Sequence, residues 1–452
     1  MLSFSDLKVA ILMEISSEAK VTNSQKTAVD YYKSIFLVCL FISLAIIYVA
    51  SEYFQNARLS QLISFQAWDG PGPMPDILYP DSFGNHYFGD FLLTFRISQQ
   101  ASPYFAEGFV PFFYLPISAV LLGPFVLFNY WTALVLFFAT CTILLVVILN
   151  RGLAQLSKKS RLSIISLFLI SGPMVSMIDR GNVSLVLTLI CLFAVLNLHR
   201  QNLYIAAIAF GLAAAMKGYP LLFLLIFVRR REWKQLAVGV STFLISTLAP
   251  LVFYQKGTLS NFKELINQFK GASTPVHAIN IRAFNHSLLS FLDTCRTSLP
   301  DTVANLFEFL ISHYSLFGVL LAVILLSHAI SKHASDFESL LLITVSMVTI
   351  PQTVGYYVLL LYFVPLIFCW SEELQLDWKM KLTMAALAVV MVPKGVPLWF
   401  PFGLWSPAAA TYTSFLNPLC ALFISAICVY SINRRRYFNL KKDFTEATIL
   451  QN

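Results

Sequence analysis

Charged side chains are scarce in this sequence, and their scarcity excludes most classes of soluble protein. Asp, Glu, Lys and Arg make up 12% of the 452 residues, whereas soluble domains carry roughly 25%. Hydrophobic residues account for 58% of the chain, and the mean hydropathy is +0.72. A soluble fold of this length could not bury so much apolar surface, so we expect lipid to solvate much of it.

Several other features are missing, and each absence removes a class of function. The seven cysteines form no Cys-x-x-Cys pair, so neither a disulfide framework nor a metal site is predicted; only Cys295 lies in a polar segment. No internal repeat supports an inverted-repeat transporter. The net charge of +8 comes from basic residues in short loops rather than from a basic and aromatic surface, so we expect no nucleic-acid partner.

Apolar segments run through most of the chain, and each is predicted to be a helix, because open strands cannot satisfy their backbone in lipid. They begin near Ser34, Tyr130, Leu162, Val183, Leu203, Tyr219, Gln235, Ser315, Ser339, Tyr356, Leu382 and Ser414. The predicted fold class is an all-α polytopic membrane protein with about 12 transmembrane helices. Because a mixed tail precedes the first segment, we expect a retained span rather than a cleaved signal peptide.

Basic residues set the predicted orientation. Three basic stretches, at 151–161, 229–234 and 434–442, are expected on the cytoplasmic side, where Lys and Arg concentrate in short loops. Twelve spans from a cytoplasmic N-terminus place all three there, provided that the proline-interrupted segment 110–128 does not cross the membrane. We therefore expect segment 110–128 to be re-entrant or to lie along the interface.

Such a topology divides the chain into three regions. They are a cytoplasmic N-terminal tail at 1–33, a multi-span domain at 34–432, and a basic cytoplasmic C-terminal tail at 433–452. Two long segments, 51–109 and 254–314, fall on the extracytoplasmic side, as do the short connections that carry polar candidates. The predicted location is the inner or plasma membrane, with the chemistry on its outer face.

Asp90 ends a loop with the sequence Gly-Asn-His-Tyr-Phe-Gly-Asp and precedes the amphipathic stretch 91–97. A carboxylate at the membrane surface could act as general base for a hydroxyl group, with His86 as a nearby binding residue. The alternative is that Asp90 only caps the helix that follows it.

Two short polar connections between apolar runs carry further candidates. Asp179, Arg180 and Asn182 belong to the string Asp-Arg-Gly-Asn. Arg180 could bind a phosphate through two hydrogen bonds, or the string could be a tight turn in which Arg180 pairs with Asp179. Lys217 and Tyr219 follow a run rich in Gly and Ala, which would let another backbone or a ligand come close. Lys217 could reach a lipid phosphate or simply extend to lipid headgroups.

The second long outer segment contains Arg282 and the string Asn-His-Ser-Leu that begins at Asn285. Asn285 and His286 are candidate binding residues, although no catalytic triad is implied without a third partner. Further along, the segment 351–357 interrupts an apolar run with Pro and Gly. The interruption predicts a helix break that faces a cavity rather than lipid.

These elements, in this order, resemble glycosyltransferase family 87, within the GT-C superfamily of membrane glycosyltransferases. The resemblance is strongest over 179–231, where Asp-Arg-Gly-Asn-Val-Ser-Leu is similar to the family's acidic-Arg-Gly-Asn/Gln-Val-Asn-Leu and Ala-Ala-Ala-Met-Lys-Gly-Tyr-Pro precedes a basic loop. The Ser-Pro-Tyr at 102–104 and the Tyr-Leu-Pro at 114–116 look like its Pro-Tyr and Tyr-Pro-Pro elements, and Asn-His-Ser-Leu at 285–288 is similar to its Asn-Gln-Ser-Leu. Where the family commonly has Trp-Asp-His after a late proline, this chain has Val-Gly-Tyr at 354–356.

The resemblance implies a GT-C fold that transfers a sugar, most commonly mannose or arabinofuranose, from a polyprenyl-phosphate donor. The acceptor would be an envelope glycan or glycolipid on the extracytoplasmic face. Asp90 would accept the proton of the acceptor hydroxyl in an inverting transfer, while Arg180, Lys217 and Arg282 would hold the leaving phosphate.

The resemblance also leaves open which residue replaces the family's late histidine, since either His86 or His286 could do so. A divalent cation, Mg²⁺ or Mn²⁺, can assist enzymes of this superfamily, but no metal-ligand spacing in this sequence demands one. The competing functions are a lipid-linked glycan polymerase, a flippase or transporter, and a non-catalytic membrane scaffold.

Overall fold

The computed structural model describes residues 29–46, 48, 88–105, 114–272, 285–298, 300–371, 377–393 and 412–451. Every regular element within these residues is a helix. The α-helices are α1 Val29–Ile46, α2 Gly89–Ser98, α3 Ile117–Leu122, α4 Tyr130–Gly152, α5 Lys158–Leu169, α6 Gly172–Arg180, α7 Ser184–His199, α8 Leu203–Lys217, α9 Leu225–Arg229, α10 Trp233–Leu248, α11 Thr258–Ala272, α12 Leu288–Ser298, α13 Asp301–Ser312, α14 Tyr314–Ala329, α15 Asp336–Thr349, α16 Phe363–Ser371, α17 Trp378–Met391 and α18 Tyr412–Gln451. Short 3₁₀ helices cover Pro103–Phe105, Phe125–Leu127, Tyr219–Leu224, Ala249–Val252 and Tyr356–Tyr362.

Helices lie at all of the predicted apolar segments, but few are long enough to cross a bilayer alone. Within the described residues, four helices are long and apolar enough to cross a membrane: α1, α4, Trp233–Val252 and Ser414–Asn439. Two bent pairs raise the number to six, if each pair is one span: α5 with α6, bent by 56°, and Val303–Ser312 with α14, bent by 82°. The structure is therefore an all-helical membrane-protein fold with four to six candidate spans, and α18 continues through most of the predicted C-terminal tail.

The centre of the bundle is formed by α7 and α8. Most of α7 is buried, including Leu187, Leu192 and Val195, because its apolar residues cover the whole circumference of the helix. A Cβ added to Gly211 of α8 would lie 2.3 Å from the carbonyl oxygen of Gly239 in α10. The close approach of these two backbones confirms that the small residues of α8 admit a neighbouring helix.

The proline-interrupted segment, described from residue 114, is folded beside the C-terminal end of α8. The N–H of Leu115 and the hydroxyl of Ser118 both donate to the carbonyl of Met216, at 2.9 Å and 3.2 Å. Its helix α3 has six residues, or about 9 Å of length. Such a short helix cannot cross the hydrocarbon core, which is about 30 Å thick.

The three basic stretches lie at one end of the bundle, where each contacts either the turn between α7 and α8 or the start of α15. Their contacts are Arg200 with the carbonyl of Gly152 (3.3 Å), Arg230 with Gln201 (3.3 Å) and with Asp336, and Arg435 with Glu338. α7 ends at this basic end and α8 begins there, so the start of α7 and the end of α8 lie together at the opposite end. Each helix has 15 or 16 residues, which separates the two ends by about 22 Å.

Candidate active site

A tight turn between α6 and α7 brings Asp90 to Arg180. Gly181 has a φ of +62°, and a Cβ at this position would lie 2.7 Å from the Cβ of Phe91 in α2. Phe88, just before α2, donates its N–H to the carbonyl of Asp179 at 2.7 Å. Glycine is required both by the left-handed backbone and by the close packing. The turn therefore docks the start of α2 against the end of α6.

The carboxylate of Asp90 is held by a fork of hydrogen bonds. Nε and Nη2 of Arg180 donate to Oδ2 and Oδ1, both at 2.8 Å, and Nδ2 of Asn182 donates to Oδ2 at 2.7 Å. The Asp90 and Arg180 side chains are only 20% and 29% exposed. A carboxylate has about four lone-pair positions, so these three bonds leave one acceptor position, on Oδ1.

Helix capping, the alternative role for Asp90, does not fit this arrangement. Phe88 occupies the N-cap position of α2, and no side chain caps that end of the helix. Asp90 lies in the first turn instead, with its carboxylate directed at Arg180.

Opposing effects set the charge state of Asp90. Burial of the carboxyl raises its pKa, but the charge of Arg180, the hydrogen bonds from Arg180 and Asn182, and the charge of Lys217 together outweigh burial. The pKa of Asp90 therefore lies below its ordinary value of 3.8, and the carboxylate is ionised at neutral pH.

Asn182 connects the carboxylate to the surrounding helices. Its Oδ1 accepts a hydrogen bond from the hydroxyl of Tyr114 (3.0 Å) and another from the N–H of Ser184 (2.9 Å), in the first turn of α7. The hydroxyl of Tyr104 in turn donates to the carbonyl of Tyr114 at 2.9 Å. These contacts fix the Asn182 amide so that its NH₂ group faces Asp90.

Lys217 lies between two aromatic rings at the end of α8. Its Nζ is 4.5 Å from the ring centroid of Tyr114 and 5.1 Å from that of Tyr357. Both distances are within the range of cation–π attraction, which is about 6 Å. Tyr219 is half-buried against the same core. The Lys217 ammonium thus faces the site rather than extending away to headgroups.

Asn285 and His286 hold the predicted helix break in place. Asn285 accepts from the N–H of Val354 (2.9 Å) and donates to the carbonyl of Gln352 (2.7 Å). The N–H of His286 donates to the carbonyl of Val354 at 2.9 Å, and its ring lies 4.9 Å from that of Tyr356. The observed contacts are structural, and a donor-binding role for the two residues stays a prediction.

The structure brings together four of the predicted site residues, Asp90, Arg180, Asn182 and Lys217. Asp179 contributes its carbonyl to the docking of α2, and Arg180 pairs with Asp90 rather than with Asp179 as the turn hypothesis assumed. The predicted His86 and Arg282 lie outside the described residues. Within the described residues no three His, Cys, Asp or Glu side chains are grouped to hold a metal ion.

Sequence reasoning did not select Tyr114 and Tyr357 as site residues. A signal for each was present, since Tyr114 precedes the proline at 116 and Tyr357 follows the break at 351–355. Irregular backbone within an apolar chain is tolerated where it lines a cavity or is buried in protein, so the two breaks indicate where cavity-lining side chains lie.

Comparison with known proteins identifies the family. GPI mannosyltransferase 1 of Eremothecium gossypii is 24% identical to this chain over 172 residues, covering 35% of the chain and 42% of that protein. The chain thus spans less than half the length of this relative. The sequence profile of glycosyltransferase family 87 matches residues 112–351, a range that includes Arg180, Asn182 and Lys217. Because this match covers more than half of the 452 residues, the chain belongs to glycosyltransferase family 87.

Proposed function

We propose that this membrane glycosyltransferase moves a sugar from a polyprenyl-phosphate donor to an envelope glycan or glycolipid, with inversion at the anomeric carbon. The observation that carries the proposal is an ionised carboxylate, Asp90, beside a lysine, Lys217, at one end of an apolar helical bundle. Inverting transfer needs a base for the acceptor and positive charge for the leaving phosphate. Similarity to a mannosyltransferase makes mannose the first sugar to test, and the family resemblance makes arabinofuranose the second.

In the proposed reaction, an acceptor hydroxyl oxygen attacks the anomeric carbon of the donor sugar. A new carbon–oxygen bond forms while the bond to the phosphate oxygen breaks, and the electron pair leaves with the polyprenyl phosphate. Asp90 takes the hydroxyl proton through Oδ1. A carboxylate of low pKa is adequate here, because the transition state of glycosyl transfer resembles an oxocarbenium ion, so the hydroxyl need not be deprotonated in advance.

Arg180 is assigned to the carboxylate rather than to the phosphate. Two of its nitrogens already donate to Asp90, and its charge keeps that group ionised. Among the cations that the structure describes, we assign Lys217 to the leaving phosphate. Its ammonium lies between the rings of Tyr114 and Tyr357. Phosphate would then replace part of the cation–π interaction with a stronger ionic contact. Asn285 and His286 would position Tyr357 by holding the helix break that precedes it.

The proposed topology keeps twelve crossings, with the basic end of the bundle in the cytoplasm and Asp90 on the extracytoplasmic side. Support comes from the position of the three basic stretches at one end of the bundle, opposite the candidate site. Because Lys and Arg concentrate in short cytoplasmic loops, the site then faces outward. A lipid-linked donor fits this side.

Two exposed residues flank one candidate span and test the orientation. Lys234 stands at the start of Trp233–Val252, and Thr258 follows its end. In intact cells, an impermeant thiol reagent should label Thr258→Cys but not Lys234→Cys, which should react only after lysis. The unmodified protein provides the background from its own cysteines. Labelling in the reverse order would invert the topology, and equal labelling would mean that this helix does not cross.

The donor is tested with purified protein in detergent. We expect transfer from polyprenyl-phosphate mannose, or from its arabinofuranose counterpart, to an envelope glycolipid extract. The anomeric configuration of the product, measured by nuclear magnetic resonance, should be opposite to that of the donor. Efficient transfer from a nucleotide sugar with no lipid carrier, or retention of configuration, would refute the proposal.

A further inference from the structure

A groove of about 500 Å³ lies between α1 and α5, far along the bundle from Asp90. Lys33 of α1 and Lys158 and Lys159 of α5 line it together with apolar side chains. The volume is within the range of small-molecule sites, about 300–1,000 Å³. Because Lys158 and Lys159 belong to the basic stretch 151–161, the groove opens at the basic end of the bundle.

The side chains in the groove change from charged to apolar along α5. Lys158, Leu162, Ser166 and Ile170 follow one another at intervals of four residues, so they form one stripe along the helix. The stripe carries its charge at the first position, a hydroxyl in the middle and an apolar group at the end. From Lys158 to Ile170 the rise is about 18 Å, close to the depth of one leaflet's hydrocarbon, which is about 15 Å.

The start of α5 adds further groups that favour an anion. The side chain of Ser157 accepts the N–H of Ser160, while the N–H groups of Lys158 and Lys159 belong to the first turn, which has no acceptor within the helix. Backbone N–H groups at a helix N-terminus bind phosphate readily. In the part of the chain that the structure describes, none of the three groove lysines forms an ion pair.

The apolar wall of the groove is open to the surroundings of the bundle. Leu37, Leu162 and Ile170 are 45%, 52% and 41% exposed. In a membrane protein, exposed apolar side chains at this depth face acyl chains. The occupant must therefore combine negative charge at the membrane surface with a hydrocarbon chain.

We propose that this groove binds an anionic glycerophospholipid of the surrounding bilayer. Its phosphate lies among Lys33, Lys158 and Lys159, its glycerol esters lie near Ser166, and one acyl chain packs on Leu162 and Ile170. The site is distinct from the candidate active site, since its lysines lie at the opposite end of the bundle and the two sites share no residue. It would fix the α1 and α5 helices to each other through a lipid of the cytoplasmic leaflet.

Native mass spectrometry of the full chain in a nonionic detergent tests this site. Phosphatidylglycerol and phosphatidylcholine are added separately, and bound lipid is counted at each concentration. Wild-type protein should retain phosphatidylglycerol preferentially. Lys158→Gln/Lys159→Gln should weaken that binding by about 30-fold, at roughly fivefold for each lysine near an anionic surface.

A matched control separates the groove from general basicity. Lys234→Gln/Lys332→Gln removes two exposed charges from the same end of the bundle and should change binding by less than about twofold. Ser166→Trp keeps all three groove lysines but fills the groove, and it should also abolish preferential binding. Thermal unfolding without added lipid checks that each variant is folded.

Several results would overturn the proposal. Equal losses in the two double variants would mean that the lipid responds only to net charge. Wild-type binding by Ser166→Trp, or equal retention of phosphatidylglycerol and phosphatidylcholine, would exclude a phospholipid site in the groove. Tighter binding of a polyprenyl phosphate than of phosphatidylglycerol would assign the groove to the donor's lipid carrier instead.

Discussion

Replacing Asp90 by Asn removes the proposed base with little change in volume. The wild-type carboxylate accepts three hydrogen bonds, two from Arg180 and one from Asn182. If the new amide oxygen occupies the position of Oδ2, the amide NH₂ faces Nη2 of Arg180, which is also a donor. The substitution therefore removes the base and leaves at least one donor of the partly buried cluster without an acceptor.

Both losses have a magnitude that can be measured. Removing general-base assistance lowers the transfer rate by about 100- to 10,000-fold. Leaving a buried donor unsatisfied costs about 1–3 kcal/mol of the free energy of unfolding, and because Arg180 is partly exposed this range is an upper bound here. A fall in activity alone would not distinguish a catalytic Asp90 from a structural one, so the two effects must be separated.

The double variant Asp90→Asn/Arg180→Gln separates them. It removes both charges, and its two amides can hydrogen-bond to each other, so thermal stability should recover toward that of the wild type. Single-turnover transfer at saturating lipid-linked donor should remain reduced by 100-fold or more. Recovery of the rate together with stability would make Asp90 a structural residue. Transfer within a few-fold of wild type in Asp90→Asn alone would refute the assignment directly.

Three further substitutions test the surroundings of the carboxylate. In Arg180→Gln, the guanidinium no longer opposes the effect of burial, so the pKa of Asp90 should rise. The acid limb of the pH profile of kcat/KM should therefore move to higher pH, and an unmoved limb would contradict the pairing. Lys217→Gln should raise the KM for the donor and lower kcat, each by about tenfold, and unchanged donor kinetics would remove Lys217 from the phosphate site. Gly181→Ala should lower the unfolding temperature more than Gly257→Ala, because both have positive φ but only Gly181 is packed against α2. Equal effects would mean that close packing at Gly181 is unimportant.

Hydrophobic run length predicted where the helices are, whereas the number of helices that cross the bilayer stays a prediction. All twelve apolar segments became helices, because only helices satisfy the backbone within an apolar chain. α7 shows why the number of crossings is harder to predict. It has 16 residues, about 24 Å of length, and is mostly buried by protein. A short apolar run has the same composition whether protein or lipid surrounds it, and only the tertiary neighbours distinguish the two.

For the candidate site, the sequence predicted individual residues but not the contacts between them. Arg180 and Lys217 stood out because polar groups between apolar runs are costly and usually functional. Asp90 stood out as a carboxylate expected at the membrane surface. Their pairing did not follow from the sequence, which offered Arg180 either a phosphate or its neighbour Asp179 as partner. Helix geometry now decides against its neighbour: Asp179 and Arg180 are consecutive in α6, and consecutive helical side chains do not face each other. The acidic partner of Arg180 therefore comes from another element. Gly181 lets α2 pack closely against the turn, and α2 carries Asp90.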